Sequence, residues 1–66
     1  MRVSVNGKPH EIRAEATVAE LVASFSLEPK FVAVEVNCEL VQRRLFDQTR
    51  LAEGDRVEIV TLVGGG

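Results

Sequence analysis

Met1-Arg2-Val3-Ser4-Val5-Asn6-Gly7-Lys8-Pro9-His10-Glu11-Ile12 opens the chain with apolar and polar residues in alternation around an Asn-Gly pair. A period of two marks a strand buried on one face. Asn-Gly between two such segments is the strongest short-range hairpin signal, because a type I′ turn needs positive φ at both central residues. The first strand therefore ends at Val5. The second runs from Lys8 to Ala14, with Ile12 facing the core.

Outward from this hairpin, Thr17-Val18-Ala19-Glu20 reads as a capping box. Thr17 accepts from the amide of Glu20, and Glu20 reaches back to the amide of Thr17. Val18, Leu21, Val22 and Phe25 form the i, i+3, i+4, i+7 stripe of an amphipathic helix. Pro29 cannot continue it, so one short helix is predicted from Val18 to Phe25. Phe31 to Val36 is rich in β-branched residues and reads as a third strand. Asn37-Cys38 turns the chain into a short fourth strand, Glu39 to Gln42. Arg43 to Leu51 has no clean period and is expected to be a crossing loop with a helical turn. Glu53-Gly54-Asp55 is a further turn, and Arg56 to Val63 is the last and most strongly β-prone strand. The predicted fold class is α+β, with one helix on a mixed sheet of four to five strands. A single helix covers one face of that sheet and leaves the other to water or a partner.

At 66 residues the chain is one domain, about half the usual domain length. It buries only roughly 60% of the surface of its unfolded form and has little wall left to enclose a substrate. An independent enzyme is therefore not expected. Hydrophobic residues make up 45% and charged residues 27%, values of a soluble globular domain. The single cysteine, Cys38, excludes an internal disulfide and a four-thiolate cluster, and fits a reducing, cytoplasmic setting. No apolar stretch approaches the roughly 20 residues that span a bilayer. Met1-Arg2-Val3 leads straight into strand-like sequence, so no signal peptide is expected. Eight basic against ten acidic residues give a net charge of −2, which argues against binding nucleic acid through its backbone.

The chain finishes Gly64-Gly65-Gly66. Gly averages about 7% of residues, so three in a row at a given place arise by chance roughly three times in ten thousand. No side chain there can act as nucleophile, base or ligand, and the reactive group is the carboxylate of Gly66. Without a Cβ the backbone can pass through a narrow channel. Three extended residues reach on the order of 10 Å, enough to enter a partner's active site. The expected organisation is one domain over residues 1–63 and a flexible tail over 64–66. A frayed end is the bland alternative.

With Val5-Asn6-Gly7-Lys8, Thr17-Val18-Ala19-Glu20-Leu21, Val34-Glu35-Val36-Asn37 and the run Gly54-Asp55-Arg56 to Gly66, the whole chain resembles the ThiS sulfur carriers of thiamine biosynthesis. The resemblance implies a ubiquitin-like β-grasp fold with the first and last strands adjacent and parallel. It also implies a chemistry. An E1-like adenylating enzyme of the ThiF type forms an acyl adenylate on the C-terminal glycine, which maps onto Gly66. Sulfur originating from a cysteine desulfurase displaces AMP and leaves a thiocarboxylate. A thiazole synthase of the ThiG type takes that sulfur. Gly64 and Gly65 thread the partner's active site, and the carrier needs no catalytic side chain, metal or cofactor of its own. Family members usually have Gly where this chain has Cys38, and often Pro where it has Gln42. A Cys at positive φ would be strained by about 1 kcal/mol, so a different turn type is expected there.

In the last strand Val57, Ile59, Thr61 and Val63 share one face, and Arg56, Glu58, Val60 and Leu62 share the other. With the first set on the helix, the outer face passes from charged to apolar towards the tail. Val60 and Leu62 are the candidate docking residues; packing under the Arg43–Leu51 loop is the alternative. Cys38 has no flanking Lys, Arg or His to favour a thiolate, and His10 has no ligand partner at metal spacing. Arg43, Arg44 and Arg50 read as solvated loop charge or as a contact for an acidic surface. A monomer between partners is the simplest assembly. Besides the thiamine-type carrier, three readings stay open: a molybdopterin-synthase small-subunit-like carrier, a ubiquitin-like modifier and an interaction module with an inert tail.

Overall fold

A computed structural model describes residues 1–62 of the chain. Five strands, β1 (Arg2–Val5), β2 (Lys8–Glu11), β3 (Val32–Val36), β4 (Glu39–Val41) and β5 (Arg56–Thr61), form one sheet. Their order is β2-β1-β5-β3-β4. β5 runs parallel to β1, and every other pair is antiparallel. The helix α1 (Val18–Ser24) lies across one face. This is the β-grasp arrangement expected above.

Local rules account for most of these elements. Asn6 and Gly7 take φ of 52° and 84°, as a type I′ hairpin demands. The capping box is complete: Glu20 N–H donates to Thr17 Oγ1 at 3.2 Å, and Thr17 N–H donates to Glu20 Oε1 at 2.8 Å. Val3 and Val5 of β1, Val18, Leu21 and Val22 of α1, Val32 and Val34 of β3, and Val57 and Ile59 of β5 make the core. Phe46 and Leu51 complete it from the loop after β4. Every large side chain buried here is apolar, so no hidden charge has to be offset.

Several boundaries differ from expectation. β2 stops at Glu11 and not Ala14, because Glu11 pairs with Arg2, the first residue of β1, and after the bond from Ile12 N–H to Met1 O no partner strand remains. The helix ends at Ser24, and Phe25 becomes its C-cap, 39% exposed, so it leaves the buried stripe. Its ring stacks on His10 of edge strand β2, with centroids 4.7 Å apart. Phe31 belongs to a 3₁₀ turn, Pro29–Phe31, and β3 starts one residue later. β4 ends at Val41, since Gln42 leads directly into the 3₁₀ turn Arg43–Leu45. Val63, expected in the last strand, lies outside the described residues.

The second turn, Asn37-Cys38, also departs from expectation. Asn37 and Cys38 take φ of 51° and 71°, so Cys38 adopts the left-handed conformation after all, and the turn repeats the geometry of Asn6-Gly7. Asn37 explains why. Its Oδ1 accepts from Arg56 N–H at 2.9 Å, and its Nδ2 donates to Asp55 Oδ1 at 3.1 Å. These bonds tie the turn to the start of β5, and Cys38 accepts the strain that follows.

Candidate functional site

The strand that leads to the tail is the middle strand of the sheet. Its entry is held by Asn37 on one side and stitched to β1 on the other. Gly54, at φ 85°, lets the chain turn so that its N–H donates to Arg2 O at 2.8 Å, while Ser4 N–H donates to Asp55 O at 2.9 Å. Asp55 Oδ2 accepts from Ala52 N–H at 2.8 Å and closes the turn. Further along, β1 ends before β5 does, and the side chain of Asn6 takes over from the backbone. Ile59 N–H donates to Asn6 Oδ1 at 2.8 Å, and Asn6 Nδ2 donates to Ile59 O at 3.1 Å. Sequence reading assigned Asn6 only to a turn; its second task depends on a residue far away in the chain.

Cross-strand register defines the outer face. Ala33 lies opposite Val60, and Glu35 lies between Leu40 and Glu58. Near the start of β5 this face carries Arg56, Glu58 and Glu35; towards its end it carries Val60 and Ala33, followed by Leu62. Val60 is 57% and Leu62 44% exposed. The Arg43–Leu51 loop packs Phe46 and Leu51 into the core on the helix side and leaves both candidate docking residues uncovered. Leu62 is held at its backbone, where its N–H donates to Phe31 O at 2.7 Å. The Phe31 ring is 42% exposed, and the Lys30 ammonium sits 5.1 Å from its centroid.

On the helix side, Thr61 was expected to pack with Val57 and Ile59, but α1 is too short to reach it and it is exposed. It borders a shallow groove of about 220 Å³ with Val5, Asn6, Phe25, Leu27 and Ile59.

The other sequence candidates lie elsewhere. Cys38 is exposed at the β3–β4 turn, beside the start of β5. The four residue steps from Val57 to Thr61 put roughly 13 Å of strand between it and the exit of β5. Arg43 and Arg44 are both engaged within the domain: Arg43 Nε donates across to Pro29 O at 3.1 Å, and Arg44 Nε donates locally to Gln42 Oε1 at 3.0 Å. Arg50 faces Glu15 at 3.7 Å. Among the described residues no group of three or more His, Cys, Asp or Glu is placed to hold a metal ion. No described helix is long and apolar enough to cross a membrane. Gly64, Gly65 and Gly66, the residues expected to thread a partner and to be modified, lie outside the described residues.

Ionisable groups shifted from their ordinary range belong to the fold's outer fastenings. The Thr17 N–H, and then the Arg13 guanidinium, hold the Glu20 carboxyl below its usual value. Arg2 does the same for Glu11 across the β1–β2 pair. Neither carboxyl lies at the end of β5, where the described residues offer an exposed apolar surface.

Known proteins share this arrangement. The profile of the ThiS family matches residues 3–66. The chain is 37% identical over 65 residues to the sulfur carrier protein ThiS of Bacillus subtilis, covering 97% of this chain and 98% of that one. It is 35% identical over its whole length to a thiazole synthase of Paramagnetospirillum magneticum, and 36% to one of Magnetococcus marinus. The chain spans 20% of the length of each of those two proteins. A crystal structure of the thiamine biosynthesis protein ThiS from Geobacter metallireducens superposes with a TM-score of 0.84 at 36% identity, covering all of both chains.

Proposed function

Because this chain belongs to the ThiS family, we propose that it is a sulfur carrier of thiamine biosynthesis whose cargo rides on the carboxyl group of Gly66. The observation that carries this reading is the family match, which runs through the last strand and includes all three tail glycines. The fold supports it. β5 is paired on both sides, so the strand that leads to the tail has a rigid base, and its outer face offers apolar contact close to the exit.

In this reading a carboxylate oxygen of Gly66 attacks the α-phosphorus of ATP on an E1-like adenylating enzyme, and pyrophosphate leaves. The terminal sulfur of a persulfide formed by a cysteine desulfurase then attacks the acyl carbon and expels AMP to give an acyl disulfide, and a thiol cleaves that S–S bond, forming a new disulfide and leaving the thiocarboxylate. The small domain supplies no catalytic side chain; the carboxylate is inert until a partner activates it. Gly64 and Gly65 pass through the partner's channel because they have no Cβ to clash. Val60 and Leu62 dock the partner, since exposed apolar residues beside a reactive terminus mark an interaction site. A thiazole synthase is the acceptor. The two relatives of that name contain a stretch similar to this entire chain, which fits a carrier that works beside that enzyme.

Intact-protein mass spectrometry tests the reading. The chain is incubated with ATP, an adenylating enzyme of the ThiF type and a cysteine-desulfurase sulfur source. Exchange of one oxygen for sulfur is expected, and it is lost when Gly66 is deleted. An unchanged mass beside an active control carrier would overturn the proposal in favour of an inert tail.

A further inference from the structure

Asn6 answers to two constraints at once. It is the first central residue of the β1–β2 turn, at φ 52°, and Gly7 follows at φ 84°. Its side-chain amide meanwhile bridges to the middle strand. Ile59 N–H donates to Asn6 Oδ1 at 2.8 Å, and Asn6 Nδ2 donates to Ile59 O at 3.1 Å. Only this orientation of the amide serves, because a flip sets donor against donor and acceptor against acceptor. The turn by itself accepts Asp-Gly as well as Asn-Gly. The bridge does not, since it needs the Nδ2 donor.

The same two residues are a labile pair. The peptide nitrogen of Gly7 is the next backbone atom group after Asn6, and the space where a Cβ of residue 7 would stand is open. We propose that Asn6 is a deamidation site that the Ile59 bridge holds in check. In this reaction the Gly7 peptide nitrogen gives its proton to hydroxide and attacks Asn6 Cγ. The Cγ–Nδ2 bond breaks, ammonia leaves with a proton taken from water, and a cyclic succinimide remains. Water then opens either of its carbonyl–nitrogen bonds and leaves aspartate or isoaspartate; nothing is oxidised or reduced. Attack turns the planar amide tetrahedral at Cγ, so both bonds to Ile59 are given up first. Asn6 is exposed, so hydroxide and water reach it once they are. The aspartate product sets an oxygen against Ile59 O where a donor stood. The isoaspartate product also inserts a methylene into the backbone of a two-residue turn. Either one loosens β5 at Ile59, beside Val60 of the outer face. Asn37, the other asparagine of the chain, is followed by Cys38, whose Cβ crowds the attacking nitrogen.

The full chain is held at mildly alkaline pH, folded or in urea, and the peptides containing Asn6 and Asn37 are followed by mass spectrometry. In denaturing urea Asn6 is expected to convert faster than Asn37. Folding is expected to slow Asn6 about 30-fold or more, the factor for two hydrogen bonds released before attack. Equal rates at Asn6 in the folded and unfolded chain overturn the proposal, and so does a faster Asn37 in urea. Across a series of lower urea concentrations, conversion of Asn6 should track the hydrogen exchange of the Ile59 N–H. Conversion that departs from it assigns the protection to the turn alone and overturns the role of the bridge. Asn6→Asp, which keeps the turn and removes the donor, should lower Tm by about 5 °C. An unchanged Tm would mean that deamidation leaves β5 as firmly held as before, against the proposal.

Discussion

Cys38 shows how one residue can be held against its own preference. Its φ of 71° lies in the region that costs an L-residue about 1–2 kcal/mol. It stays there because Asn37 is bound through its side chain to both Asp55 and Arg56. Cys38→Gly removes the steric cost but gives the unfolded chain more freedom, so the two effects partly cancel. The expected net gain is about 0.5 kcal/mol, read as a rise of about 3 °C in Tm for a domain of this size. A fall in Tm would show that the thiol makes a contact worth more than the strain. Sulfur transfer should be unaffected, given the strand length that separates Cys38 from the exit of β5.

Among the elements, α1 is fastened at its start and β5 is exposed near its end, and each can be tested alone. Glu20 has a carboxyl pKa below its unfolded value, held there by the Thr17 N–H and by Arg13. Its contribution to stability is present above the ordinary carboxylate range and is lost as pH falls through the folded pKa. Glu20→Gln should flatten the acid side of a Tm-against-pH profile, and an unaltered slope would remove Glu20 from that role. Just beyond β5, Leu62→Asp should lower charging by the adenylating enzyme at least ~30-fold, as loss of a central apolar contact does, with Tm unchanged. A collapse of stability would mean that Leu62 serves the core and not a partner. These elements differ in how far they could be read from the chain. The hairpin at Asn6-Gly7 and the capping box at Thr17 were legible because each obeys a rule that spans four residues or fewer. Val60 and Leu62 were legible as an outer pair because strand alternation fixes faces. Phe46 and Leu51 were not, since they sit in an aperiodic loop and reach the core only after the chain has crossed the sheet. The exposure of Phe25 also escaped notice, because the periodicity continues past the point where the helix ends. Arg43 read as loop charge; its grip on Pro29 and Lys30 joins two loops that no local pattern connects.

At the scale of the whole molecule, a five-stranded sheet with one helix leaves one face without a covering element among the described residues. In the carrier reading proposed above, the domain is a base for the glycine tail, and the chemistry belongs to a partner. The strand order adds a consequence for how such molecules are made. Among the described strands β5 comes last in the chain, yet it lies between β1 and β3 and joins the β1–β2 hairpin to the β3–β4 hairpin. A nascent chain that stops before Arg56 holds two separate ribbons, and a lone two-stranded ribbon is marginal in water. Only a polypeptide that includes β5 can close the sheet. Closure of the sheet therefore waits on the segment Arg56–Thr61, however early the two hairpins form.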